Sequence, residues 1–268
     1  MTEAVAAPGL LTVTPGGHDV SVWAAVIADA PRLDLAALCA RAGIHPPAAL
    51  VMLAAHPDDE TIGAGRLASM WARLVGPVIG VVATAGEACV DHVTTRPAEI
   101  AAIRMAEWQA ATAILGLREG HALGLPDGGL ERSHRALVEA LHPVVTQVAR
   151  EGQPVVLAAP WRHDPHPDHR AVGLAAAVVS RLLGVPLMEF GVWMSFWSEP
   201  SSVAAAGQRL VVLDHDDRAD RDHRAACACF VSQLTPLAPE LTAVVPPDML
   251  AHQQRQLLMI TPQNRTHP

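Results

Sequence analysis

The stretch LVMLAAHPDDETIGAG (residues 50–65) joins an apolar run of strand length to a segment with helical spacing. The run has no polar alternation, so it predicts a strand covered on both faces, as in a parallel sheet flanked by helices. It stops at His56, and Asp58, Asp59 and Glu60 follow at once. Adjacent carboxylates repel unless a cation lies beside them. The end of this strand is therefore where chemistry is expected.

The same rhythm continues outward. Apolar or β-branched runs at 49–55, 78–85, 121–125, 154–160, 186–195 and 208–214 predict strands, and 61–76, 97–116, 130–151, 168–184 and 217–234 predict helices. Pro97 fits a first helical turn, and Gly116 fits a position just past a helix end. Strands alternating with helices predict an α/β fold: a Rossmann-like, doubly wound, mostly parallel sheet with helices on both faces. In such sheets ligands sit beyond the carboxyl ends of the strands. HPDDE, GEACVDH, PDGG and WRHDPHPDH each follow a strand, so all four fall on one rim. Upstream, residues 1–46 form a mixed leader expected to pack on the core. It holds two short helices, the second capped by Asp34 and ended by Gly43. Residues 47–235 form the expected catalytic domain. The tail, 236–268, is Pro-rich and then helical, and belongs to the same domain or the substrate mouth.

The chain has 268 residues, half of them hydrophobic, enough for one large core. Net charge is -8, and no basic block exists, which argues against a nucleic-acid partner. The longest apolar stretch, 171–188, is interrupted by Ser180, Arg181, Gly184 and Pro186, so no membrane span is expected. The N-terminus lacks the pattern of a signal peptide, which predicts a cytoplasmic protein. A homo-oligomer is left open. The four cysteines form no CxxC pair and are expected to be buried free thiols. All 19 basic residues are Arg, and there is no Tyr, which excludes a Lys Schiff base and a Tyr acid.

Two clusters carry the chemistry. Taken singly, each of HPDD and HPDH fits a turn with a helix cap as well as it fits a ligand pair. Taken together on one rim, they point to a metal. Two imidazoles and one carboxylate make an open site with room for water and substrate. The best allocation gives His56, Asp59 and His169 as ligands, and leaves Asp58 to take a proton from water. His166 is left as a cationic donor and general acid, oriented by Asp168. His163 and Asp164 are loop residues, or support for a ligand. GAGRLA (63–68) matches a dinucleotide fingerprint, with Glu87 near the ribose position. Three acids stand where a pyrophosphate would lie, however, so these glycines are expected to serve helix–sheet packing.

AAHPDDETIGAG with a later HPDHRAVG resembles the PIG-L/LmbE-like zinc-dependent N-deacetylases over about residues 48–235. TAGE (84–87), RMAE (104–107), LPDGG (125–129) and HRAACACFVSQL (223–234) are supporting matches. The resemblance implies Zn2+, with Fe2+ as the alternative, and hydrolysis of the N-acetyl group of an amino sugar or glycoside. By matching, His56, Asp59 and His169 bind the metal, Asp58 is the base, and His166 assists, oriented by Asp168. Arg104 contacts substrate, and Asp127 is an acid of the site's rim. Some members place a Tyr near the oxyanion, and this chain has none. Two other readings compete: an Fe(II) oxygenase using the same triad, and a non-catalytic carbohydrate-binding protein.

Overall fold

The computed structural model describes residues 16–89, 96–207, 209–236 and 242–261. In chain order its strands are β1 (Arg32–Leu33), β2 (Ala49–Ala54), β3 (Val78–Val82), β4 (Arg118–Ala122), β5 (Val155–Pro160), β6 (Leu187–Phe190), β7 (Leu210–Leu213) and β8 (Leu257–Thr261). The helices are α1 (Ala24–Asp29), α2 (Leu35–Ala42), α3 (Asp59–Leu74), α4 (Pro97–Leu115), α5 (His134–Arg150), α6 (Pro167–Leu183), α7 (Met194–Trp197), α8 (Pro200–Ala205), α9 (Asp217–Cys227), α10 (Val231–Leu234) and α11 (Pro247–His252).

The strands make one sheet in the order β1-β7-β8-β6-β5-β2-β3-β4. Every pairing is parallel except those of β8, which runs antiparallel to β6 and β7. The expected α/β architecture is the observed one. All residues of β2 are buried. Leu50, Met52 and Ala54 face one layer, with Ile62, Leu67 and Trp71 of α3. Val51, Leu53 and Ala55 face the other, with Leu137, Leu141 and Val145 of α5 and Val172 and Val179 of α6. That two-sided burial explains the absence of alternation. Each fully buried Leu or Val contributes about 1.5–3 kcal/mol. Because β2 sits between β3 and β5 in register, its carboxyl end and that of β5 open on the same rim.

Local signals explain several ends. Asp34 accepts from the Ala37 backbone N–H at 2.7 Å and caps α2. Gly116 ends α4 in the left-handed region, at φ +79, which a Cβ would disfavour. In GAGRLA the glycines are contact points. A Cβ on Gly63 would lie 2.5 Å from Phe190 of β6, and one on Gly65 would lie 2.8 Å from His223 of α9.

Four expectations differ from the structure. The strand expected at 121–125 lies earlier, at β4. The one expected at 186–195 stops at Phe190, and α7 begins three residues after Gly191. The helix expected at 217–234 is two, α9 and α10. The tail is more than a helix: β8 inserts between β6 and β7. The leader supplies the edge strand β1, and its Leu35 and Leu38 join the core. Cys39 and Cys227 are buried, Cys89 and Cys229 half-buried, and all four are free thiols. Among the described residues no helix is long and apolar enough to cross a membrane.

Candidate metal centre and active site

The turn after β2 is built by Asp59. Its Oδ2 accepts the backbone N–H groups of Ala55, at 2.9 Å, and His56, at 2.8 Å. This folds the carboxylate back onto the strand end and starts α3, where an acid also suits the helix dipole. Asp58 stands at the N-cap position but makes no side-chain cap. Its Oδ2 instead meets Arg104 Nη2 at 3.1 Å. Arg104 Nη1 donates to the Gly86 carbonyl at 3.0 Å. Gly86 has φ +66, and a Cβ there would fall 2.2 Å from Arg104 Nη1, so only glycine admits the arginine. A plain helix cap does not account for this Asp58.

The second cluster meets the first. His56 Nδ1 lies 3.2 Å from His169 Nε2. His169 Nε2 lies 3.0 Å from Asp59 Oδ1, and His56 Nδ1 lies 3.5 Å from Asp59 Oδ2. Donors at bond lengths of 2.0–2.1 Å around one tetrahedral ion are about 3.3 Å apart. The outer faces of both rings meet carboxylates. His56 Nε2 is 3.0 Å from Asp127 Oδ1 and 3.5 Å from Asp168 Oδ2. His169 Nδ1 is 3.3 Å from Asp164 Oδ1. A second donor set overlaps the first: His56, His166 and His169 offer ring nitrogens within 4.8 Å of one another.

The electrostatics follow from burial and charge. Burial alone would lower the pKa of His56, yet Asp127, Asp168 and Asp59 raise it well above the ordinary value. Against burial, Asp59 and Asp164 push His169 up to about 9. Burial works to raise Asp59, but the two imidazoles hold it well below the carboxylate range. Asp58 is raised, chiefly by burial, with Arg104 opposing. Asp127 falls to about 2, its burial outweighed by His56. Four carboxylates, three of them buried and Asp127 half-buried, surround two imidazoles and are short of positive charge. A divalent cation fits that donor set, as it fits the spacing.

Several roles expected from the sequence find other partners. His166 does not have the environment of a cation: burial, then the charges of His169 and His56, push it down to about 2. Nor does the Asp168 side chain orient it. The carboxylate accepts the backbone N–H groups of Gly128, at 2.8 Å, and Leu130, at 3.0 Å, and faces His56. The Asp168 backbone N–H instead donates to His166 Nδ1 at 3.3 Å. Residues two apart on a helix do not face each other, which is why the pairing expected from proximity does not form. Asp127 is committed to His56 and to the Ala88 N–H, at 2.8 Å, although it still lines the cleft. Arg104 also lines the cleft, 3 % exposed, with Asp58 as its ion-pair partner.

Asp164 is the residue that sequence reasoning undervalued. Besides facing His169, it accepts the N–H groups of His166, at 3.0 Å, and Trp193, at 3.1 Å. Its one signal was its place after a strand end, five residues before a ligand candidate. Glu60 is also fully buried, pushed up to about 8 by burial, and accepts from Trp108 Nε1 at 3.0 Å.

Residues 51–180 match the family model described as PIG-L: GlcNAc-PI de-N-acetylase. A 1D-myo-inositol 2-acetamido-2-deoxy-alpha-D-glucopyranoside deacetylase of Kineococcus radiotolerans is 29% identical over 210 residues, 64% of this chain; the chain spans 58% of that relative's length. Among solved structures, a deacetylase triple mutant of the teicoplanin biosynthetic pathway aligns with TM-score 0.60 at 14% identity, over 81% of this chain and 99% of that one. The A40926 pseudoaglycone deacetylase Dbv21 aligns with TM-score 0.54 at 21% identity, over 71% of this chain and 85% of that one. At such identities the two structures support the fold alone. The matched segment runs from inside β2 into α6 and contains both His/Asp clusters, so this part of the chain is similar to the PIG-L family.

Proposed function

We propose that the protein is a metal-dependent hydrolase that removes the N-acetyl group of an amino sugar or glycoside. One observation carries the reading: His56 Nδ1, His169 Nε2 and the Asp59 carboxylate approach one another at 3.0–3.5 Å, with Asp58 held by Arg104 beside them. The family match supports it.

In this reading His56, Asp59 and His169 hold the ion, with zinc as the default metal. Zinc bound there would polarise the amide carbonyl and bring the pKa of a coordinated water to about 7. Asp127 and Asp168 take the proton side of His56 at Nε2, which leaves the Nδ1 lone pair for the ion. Asp164, 3.3 Å from His169 Nδ1, would do the same for that ring and free Nε2. Arg104 fixes the Asp58 carboxylate, which accepts the proton of the attacking water and passes it on to the departing amine. His166 Nδ1 accepts from the Asp168 N–H, so the neutral ring carries its proton on Nε2. From there it donates to the developing oxyanion.

The test is N-acetylglucosaminide hydrolysis by zinc-loaded protein, compared with Asp58→Asn. Loss of turnover with retained metal supports the assignment; an unchanged rate removes Asp58 as the base.

A further inference from the structure

The cleft over the candidate metal centre, about 350 Å³, is lined by two unlike sets of residues. One carries the histidines, aspartates and Arg104 described above. The other is apolar: Val192, Trp193, Trp197, Val244, Val245 and Met249. The two indoles stack with ring centroids 4.2 Å apart and planes 15° from parallel. Trp193 is buried, and Trp197 is half-buried. The wall is braced from behind. The Trp193 N–H donates to Asp164 Oδ2 at 3.1 Å, the carboxylate that faces His169. The Val192 carbonyl accepts Gln253 Nε2 at 2.6 Å, just past α11, which carries Met249. The Val245 N–H donates to the Gln233 carbonyl at 3.0 Å. A braced apolar surface facing a few convergent polar groups is the pattern of a pre-formed small-molecule site.

Charge narrows the ligand further. Among the described lining residues Arg104 is the one Arg, and Asp58 and the Gly86 carbonyl already engage it. Asp58, Asp59 and Asp127 line the same cleft. A phosphate or carboxylate on the substrate would meet these acids, and both terminal nitrogens of Arg104 are already engaged. An uncharged apolar group would meet the Trp193–Trp197 wall.

Resting on the deacetylase reading, we infer that the substrate is an uncharged N-acetylhexosaminide with an apolar aglycone, aryl or alkyl, that packs on Trp197, Trp193 and Met249. Trp197 is then the specificity-determining residue. A pyranose ring stacked on the indoles is the competing use of the same wall. It would not discriminate between glycosides that differ only in the aglycone.

The experiment compares kcat/KM of the zinc-loaded protein for the methyl, phenyl and hexyl glycosides of N-acetylglucosamine, and for its 1-phosphate. Tryptophan fluorescence titrations with the same compounds give a readout independent of turnover. The expected result is a preference of about tenfold or more for the phenyl and hexyl glycosides over the methyl glycoside, as burial of part of an aglycone would give. The 1-phosphate falls below all three. Trp197→Ala brings the phenyl-to-methyl ratio to near one, and Trp197→Phe keeps most of it. Equal kcat/KM across the aglycones, or a preference for the 1-phosphate, overturns the inference while leaving the deacetylase reading intact. If no glycoside is hydrolysed, the deacetylase reading fails, and the titration decides the wall alone. Saturable quenching by hexyl but not methyl glycoside keeps it, and equal responses overturn it.

Discussion

The two halves of the sheet carry different parts of the site. The half β5-β2-β3-β4 is wholly parallel, and its rim bears the histidines and acids at the ends of β2 and β5. The half β6-β8-β7-β1 is mixed in direction, and its rim bears the indole wall after β6. In the proposed reading, chemistry belongs to the half whose strand ends bring polar residues to one point, and substrate choice to the half whose surface the returning tail completes. Changes in the first half should therefore abolish turnover, and changes in the second should alter which compound is turned over.

The largest effect expected lies in the first half. Asp58→Asn should lower kcat by about 10²–10⁴-fold, the usual range for a positioned proton acceptor, while metal content stays at wild-type level. A rate loss accompanied by loss of metal would instead make Asp58 a ligand. Next comes Asp164→Asn, which removes the carboxylate facing His169 Nδ1. Metal affinity in a chelator competition should fall about 10–100-fold. Asp164 also braces Trp193, so this variant tests whether the halves are coupled: a shifted aglycone preference alongside weaker metal binding would show it. Gly63→Ala strikes the seam between the halves. The added methyl would lie 2.5 Å from Phe190 Cδ2. Denaturant unfolding should show a loss of about 1–3 kcal/mol. The smallest effect, about tenfold in a ratio of kcat/KM values, is that of Trp197→Ala, a change worth about 1.4 kcal/mol.

The same division governs what the sequence makes legible. β2, β3 and β5 announce themselves as apolar runs because both faces are covered, and HPDD and the WRHDPHPDH loop follow two of them. The approach of His56 to His169 follows from the rim rule alone. β8 has no such local mark. Leu257–Thr261 follows a Pro- and Gln-containing stretch, and its antiparallel place between β6 and β7 depends on partners more than 40 residues away. α9 and α10 look like one helix because the apolar residues 225–231 continue the pattern, and the break at Phe230 is a backbone event without Gly or Pro to signal it. Arg104 meeting Asp58 and Asp164 facing His169 are tertiary contacts, and spacing cannot show them. Proximity in sequence misleads for Asp168, whose carboxylate points away from His166 and toward His56.

The proposed function requires one ion shared by residues more than a hundred positions apart. The most direct measurement is an anomalous-scattering crystal structure of the zinc-loaded protein. The account predicts one strong peak bonded to His56 Nδ1, the Asp59 carboxylate and His169 Nε2, at about 2.0–2.2 Å. A peak on the other side of His56, between Asp127 and Asp168, or no peak with those three side chains apart, would contradict it.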